Sequence, residues 1–164
     1  SVASGGGFVA CVDSSTGVPR ARSMNKPYTE TWSSGYGHGI HAEMANPCFS
    51  RLRQIEKDHP ERAAQYRKFI VAAADIYVTA QPDGRELLMP GPVASVIQLL
   101  MNAFELTGEK KYADRANFFG QRGIELFLND GRPLPKATNR HDHYESITGG
   151  PEFMYALLCL HKMS

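Results

Sequence analysis

Four proton-transferring side chains lie within five positions of the segment 134–150, LPKATNRHDHYESITGG: His141, His143, Tyr144 and Glu145. An imidazole titrates near neutral pH, and tyrosine and glutamate are suitable partners for it in acid/base catalysis. We therefore predict these four as the catalytic residues. The structural alternative is that the glutamate caps the following helix and that both histidines are solvated loop residues.

A second set of polar and aromatic side chains is typical of carbohydrate binding. Trp32 and Tyr36 present flat aromatic faces that stack on sugar rings, or else they close one end of the core as a hydrophobic plug. Arg140 and Asn139 suit the carboxylate of a uronic acid, although isolated polar loop residues are usually only solvated. His38 lies two positions after Tyr36 and completes the set. The predicted substrate-binding residues are Trp32, Tyr36, His38, Asn139 and Arg140.

The histidines also allow a metal site. His38 and His41 form an HxxH pair, and His141 and His143 form an HxH pair, so that four imidazoles are available to a divalent cation. Neither spacing is a specific metal motif, and histidines at helix starts are often structural. We predict no cofactor, with a divalent cation on these four histidines as the alternative.

The composition narrows the class of protein. The chain has 164 residues, 42% of them hydrophobic, and a formal net charge of +1. This is the composition of one ordinary globular domain, with no electrostatic basis for binding nucleic acid and no apolar run long enough for a membrane span. Three widely spaced cysteines form no CxxC motif, which indicates plain packed thiols. The compartment is not indicated.

The chain divides into two regions. Residues 1–38 are irregular and rich in Gly, Ser, Thr and Pro, with one short strand predicted in GFVACV. Residues 39–164 predict an all-α array of about five helices. The first runs from Ile40 to Lys57; the second begins at Pro60 after a cap at Asp58 or His59. The others cover VASVIQLLMNAFEL, which ends at Gly108, then KYADRANFFGQRGIELFLN and PEFMYALLCLHKM.

Helix character and loop length both alternate along the array. The third and fifth helices are mostly apolar, whereas the second and fourth are amphipathic, which favours an inner row covered by an outer row. Short turns follow the first and third helices, and long loops follow the second and fourth. Short turns make antiparallel hairpins. The long loops therefore meet at one end, where we expect His38 to lie close to His143.

Two stretches resemble the (α/α) toroids, the superfamily of six-hairpin glycosidases and polysaccharide lyases: VASVIQLLMNAFELTGEKKYADRANFFGQRGIELFLN and HYESITGGPEFMYALLCL. The resemblance covers roughly residues 35–164. It implies antiparallel helical hairpins forming part of a toroid, with a carbohydrate-binding groove at the end that carries the long loops. Five helices are fewer than a complete toroid contains. We therefore expect an oligomer or pairing with another chain or fragment.

Three functions follow as hypotheses. In a polysaccharide lyase, His143 or Tyr144 transfers the protons while Arg140 and its neighbours neutralise the uronate. A glycoside hydrolase of the (α/α) barrel type requires two carboxylates at a set separation. The acids available for it are Glu30, Glu43, Asp142 and Glu145. The third hypothesis is a non-catalytic helical fragment or glycan-binding scaffold.

Overall fold

The computed structural model describes residues 13–18, 39–82 and 87–163, and over these ranges the fold is all-α, with no β-strand. This confirms the predicted all-α class, whereas the toroid stays a prediction. The predicted strand in GFVACV lies outside the described residues. The five helices are α1 Ile40–Ile55, α2 Pro60–Val78, α3 Pro90–Thr107, α4 Lys110–Phe127 and α5 Gly150–Met163. In the described part of the chain, no helix is long and apolar enough to cross a membrane.

The helix ends follow from local chemistry. Pro60 is the first residue of α2, where the missing N–H of proline costs no hydrogen bond. Gly108 ends α3 with a left-handed φ of 70°, as predicted, and donates its N–H to the Phe104 carbonyl over 2.7 Å. The predicted side-chain cap before α2 is wrong: His59 holds the cap position but makes no capping hydrogen bond.

The helices pack in two rows. Helices α1, α3 and α5 lie side by side in the first row, and α2 and α4 lie against each other in the second. Helix α3 contacts all four other helices. Most of its side chains are consequently buried, as its apolar sequence predicts.

Helix α5 is less buried than its apolar sequence suggests. Among the four other described α-helices it packs mainly on α3 and α4, and these neighbours cover one of its sides. Its buried face includes Phe153 and Ala156, whereas Tyr155 and Leu158 are 65% and 60% exposed. An apolar helix sequence alone therefore does not distinguish a central helix from one at the edge of the array.

Aromatic side chains fill the space between the rows. Phe127 of α4 and Phe153 of α5 are fully buried and meet edge to face with ring centroids 5.6 Å apart. Gly123 makes room for this pair, since a Cβ there would lie 2.6 Å from Cζ of Phe153. The ring of Tyr77 meets that of Phe119 in the same manner.

The N-termini of α1, α3 and α5 meet at one end of the fold. A Cβ on Gly39 would lie 2.7 Å from Cα of Pro92, so the start of α1 touches the start of α3. Gly149, directly before α5, approaches Gly91 of α3 backbone to backbone. This confirms that the loops leading into α3 and α5 share an end. The position of His38 relative to His143 lies outside the described residues.

Candidate functional site

The long loop between α4 and α5 is held by backbone hydrogen bonds although it has little regular structure. The Lys136 N–H donates to the Phe127 carbonyl over 2.9 Å, and the Ala137 N–H donates to the His143 carbonyl over 2.6 Å. Asn139 forms a double link to the loop before α3. Its N–H donates to the Leu88 carbonyl, and its Oδ1 accepts the Leu88 N–H, both over 3.0 Å. Residues 136–145, called the His-rich segment below, therefore have a defined position on the helices.

Thr138 fixes the orientation of the His141 ring. The buried Thr138 Oγ1 accepts the N–H groups of Arg140 and His141, each over 3.0 Å, and lies 2.8 Å from His141 Nδ1. Because these two bonds occupy both lone pairs of the hydroxyl oxygen, its hydrogen donates to Nδ1. The neutral imidazole then carries its proton on Nε2. His141 is exposed and can offer this N–H to a ligand.

Asp142 is an anchor of the loop. Its Oδ2 accepts from Arg132 over 2.7 Å, its carbonyl accepts from the same guanidinium over 2.7 Å, and its Oδ1 lies 3.2 Å from Lys136 Nζ. Hydrogen bonds from Arg132 and then Lys136 lower the pKa of this carboxyl below its ordinary value. These contacts favour a structural role for Asp142 over the role of a hydrolase acid considered from the sequence.

Asp142→Asn is expected to lower the free energy of unfolding at neutral pH, because the amide loses both charge-assisted bonds. A carboxyl whose pKa is lowered by folding stabilises the protein above its unfolded pKa of about 4, and this contribution is lost as the pH falls through the folded value. The difference in the free energy of unfolding between wild type and variant should therefore decrease towards zero as the pH is lowered. Chemical denaturation at a series of pH values measures it. A difference in the free energy of unfolding that does not change with pH would contradict the proposed stabilisation by ionised Asp142.

A matched control for this experiment is Asp114→Asn. Asp114 is exposed on α4 and lies 3.6 Å from Lys110, one helical turn away. Exposed pairs of this kind contribute little to stability. We expect the control to show a much smaller pH-dependent difference than the loop variant.

His143 and Glu145 form an exposed hydrogen-bonded pair. His143 Nε2 lies 2.6 Å from Glu145 Oε1, and the two side chains are 60% and 47% exposed. An ionised carboxylate only accepts hydrogen bonds, so the histidine proton lies on Nε2 and Nδ1 of the neutral ring is an available base. The ring of His141 is 6.1 Å away, centroid to centroid. The structure thus brings three of the four predicted catalytic residues together.

Tyr144 connects this cluster to α5. Its ring packs over Gly150, where a Cβ would lie 2.9 Å from Cε2 of the tyrosine, and the residue remains 40% exposed. The tyrosine therefore covers the first turn of α5 and directly follows His143 in the chain.

The predicted substrate-binding residues have different positions. Arg140 is exposed in the same loop, and Asn139 is half-buried at its link to Leu88. Trp32, Tyr36 and His38 lie outside the described residues. Substrate binding by these five residues stays a prediction.

The histidines of the metal alternative differ in environment. His41 is 2% exposed in the first turn of α1, with its ring 6.3 Å from that of Tyr77. His141 and His143 lie in the exposed loop. Within residues 13–18, 39–82 and 87–163, no three His, Cys, Asp or Glu side chains are grouped to hold a metal ion.

Two polar stripes that the sequence analysis did not single out face each other across α1 and α3. Asn102, 5% exposed, donates to Asn46 Oδ1 over 3.1 Å and accepts from Gln98 over 3.0 Å; Asn46 donates to the Ser95 carbonyl over 3.0 Å. They border an open groove of about 570 Å³. The available signal was the i, i+3, i+7 spacing of polar residues in two helices: Glu43, Asn46 and Ser50, and Ser95, Gln98 and Asn102.

The hydrogen bonds that join Asn46, Gln98 and Asn102 form an amide ladder, which we expect to hold α1 against α3 in a fixed register. Asn102→Ala should destabilise the fold by about 1–3 kcal/mol, because it removes two hydrogen bonds, one to half-buried Asn46 and one to half-buried Gln98. Ser50→Ala, at an exposed position in the same groove, should change stability by less than about 0.5 kcal/mol. Urea unfolding of the two variants measures the difference. Equal effects would contradict the ladder.

Comparisons with models of protein families, with curated proteins and with solved structures find no match to this chain.

Proposed function

We propose that the chain is a carbohydrate-active protein of the polysaccharide lyase type, acting on a uronic-acid-containing glycan through the loop between α4 and α5. The observation that carries the proposal is the exposed His143–Glu145 pair, with His141 beside it, on a loop anchored to the helices. A basic imidazole nitrogen next to an imidazole N–H donor is suited to taking a proton from a bound molecule while a hydrogen bond holds one of its oxygens.

Each residue of the cluster has a separate role in the proposed β-elimination. His143 Nδ1 takes the proton from C5 of the uronate, and Glu145 stabilises the imidazolium that forms, as a carboxylate does in other histidine-based sites. The electron pair of the C5–H bond forms the C4–C5 double bond while the C4–O bond breaks. The leaving oxygen takes its proton from the Tyr144 hydroxyl and accepts a hydrogen bond from His141 Nε2–H.

Positive charge near the loop supports an anionic substrate. Arg140 is exposed beside His141 and can bind the uronate carboxylate through two N–H groups. The loop leads directly into the N-terminus of α5, and this N-terminus lies beside those of α1 and α3 at one end of the fold. Helix N-termini favour negative charge. Neutralising the carboxylate makes the C5 proton easier to remove.

The lyase proposal fits the loop better than hydrolysis does. A glycoside hydrolase requires two carboxylates that act on opposite sides of one bond. Of the two acids of the His-rich segment, Asp142 is held by Arg132 and Lys136, and Glu145 is bound to His143. Membership of the (α/α) toroids is part of the same proposal, supported by antiparallel hairpins arranged in two rows.

The test is an assay of the purified chain against a panel of uronic-acid polysaccharides. A lyase produces the ultraviolet absorbance of an unsaturated uronate together with new reducing ends. Reducing ends without that absorbance would replace the lyase by a hydrolase. Neither signal, with glycan binding also absent from calorimetry, would overturn a carbohydrate-active function.

A further inference from the structure

The exposed side of α5 carries an apolar stripe. Tyr155 and Leu158 are 65% and 60% exposed, and Met154 on their flank is 36% exposed. Pro151 and Lys162 continue the stripe at its two ends, with the spacing of four, three and four residues that places side chains on one helix face. Neighbouring exposed apolar side chains of this size are typical of an interaction surface.

The charges at the two ends of the stripe are opposite. Glu152 lies in the first turn of α5, and His161 and Lys162 lie in its last turn. Two copies of α5 packed antiparallel about a twofold axis would place each acidic end beside the basic end of the other copy. A parallel pair would place like charges together. The charges of two α5 helices are therefore complementary only when the helices pack antiparallel.

A groove beside α5 fits the same arrangement. It has a volume of about 330 Å³ and lies between α3 and α5, with Met101, Phe104, Cys159 and Met163 among its lining residues. Antiparallel pairing centred near Ala156 and Leu157 sets Tyr155 of a second copy against Leu158 and Cys159. This tyrosine ring would then lie over the apolar mouth of the groove.

We propose that a second copy of this chain covers the α5 stripe, forming a twofold dimer through antiparallel α5 helices. Helix α5 has 14 residues and is therefore about 21 Å long. An interface centred on it is smaller than the ~800 Å² per partner of a standard complex. We expect a reversible dimer with a dissociation constant in the micromolar range.

Sedimentation velocity of the purified chain from low-micromolar to submillimolar concentration tests the proposal. The mass should rise with concentration from 18.1 kDa to twice that value. Leu158→Glu should weaken association at least tenfold. Ile124→Glu, at an exposed apolar position on α4, should leave it unchanged. Thermal unfolding by circular dichroism verifies that both variants are folded.

Charge reversal tests the antiparallel register. Glu152→Lys and Lys162→Glu should each weaken the dimer about two- to fivefold, the effect of an exposed ion pair. The double variant should recover the wild-type dissociation constant. Both single changes also oppose the helix dipole, so recovery in the double variant can arise only between copies.

Three results would overturn the dimer. The first is a monomer at every concentration, which would leave the α5 stripe to a different chain. The second is a dimer insensitive to Leu158→Glu, which would place the interface elsewhere. The third is a double charge variant as weak as the two single variants combined, which would exclude the antiparallel register.

Discussion

Gly149→Ala is expected to destabilise the protein by about 2–5 kcal/mol. Gly149 has a φ of +84°, which costs an L-residue with a side chain roughly 1–2 kcal/mol. Its Cβ would also meet Cα and N of Gly91, well inside 3.0 Å. Because both groups are backbone, no side-chain rotation relieves this clash, and the N-termini of α3 and α5 must move apart. Denaturant unfolding measures the loss.

Gly108→Ala is the matched control for this change. Gly108 has a similar φ of +70°, but among the described residues a Cβ built there meets nothing within 4 Å beyond its own stretch of chain. Its substitution should cost only the conformational term, about 1–2 kcal/mol. The difference between the two variants isolates the close approach of α3 and α5. Equal losses would show that the two helix ends are not in backbone contact.

The same substitution should also affect the loop. Gly149 lies four residues after Glu145, and Gly150 supports the Tyr144 ring. A shift of the α5 N-terminus therefore moves the tyrosine and its neighbours together. We expect Gly149→Ala to lower any activity of the loop, whereas Gly108→Ala, at the α3–α4 turn, should leave it unchanged.

The helices could be predicted because their signals are local. Pro60 and Gly108 mark helix ends through backbone constraints of their own. The nearly uninterrupted apolar sequence of α3 predicts its central position because burial on all sides removes the need for a polar face. The exposure of α5 could not be predicted, since it depends on which neighbours are present and not on the composition of the helix.

The sequence predicted which residues of the candidate site lie near one another, but not the hydrogen bonds that hold them. The two histidines are close in sequence, and so are close in any fold. The bonds between Asp142 and Arg132, and between Asn139 and Leu88, join positions 10 and 51 residues apart. An irregular backbone has no periodicity from which to infer such pairs. The link that Asn139 makes between two loops was therefore not predicted, and its substrate binding stays a prediction.

His143→Gln is expected to lower the rate of uronate elimination about 10²- to 10⁴-fold, the usual contribution of a positioned acid/base group. Glutamine keeps a polar side chain of similar length but removes the basic Nδ1. Because the imidazole is 60% exposed, the free energy of unfolding should change by less than about 0.5 kcal/mol. Steady-state kinetics and chemical denaturation of the same preparation separate the two effects.

His59→Gln is the control for the kinetic experiment. His59 is exposed in the turn between α1 and α2 and makes no capping bond with its side chain. Its substitution should change neither rate nor stability. Glu145→Gln should lower the rate less than His143→Gln does, because an amide still accepts from Nε2 but stabilises the imidazolium poorly. If His143→Gln instead lowers stability as much as Gly149→Ala, the His143–Glu145 pair is a structural clamp. Elimination would then have to be reassigned to His141 and Tyr144.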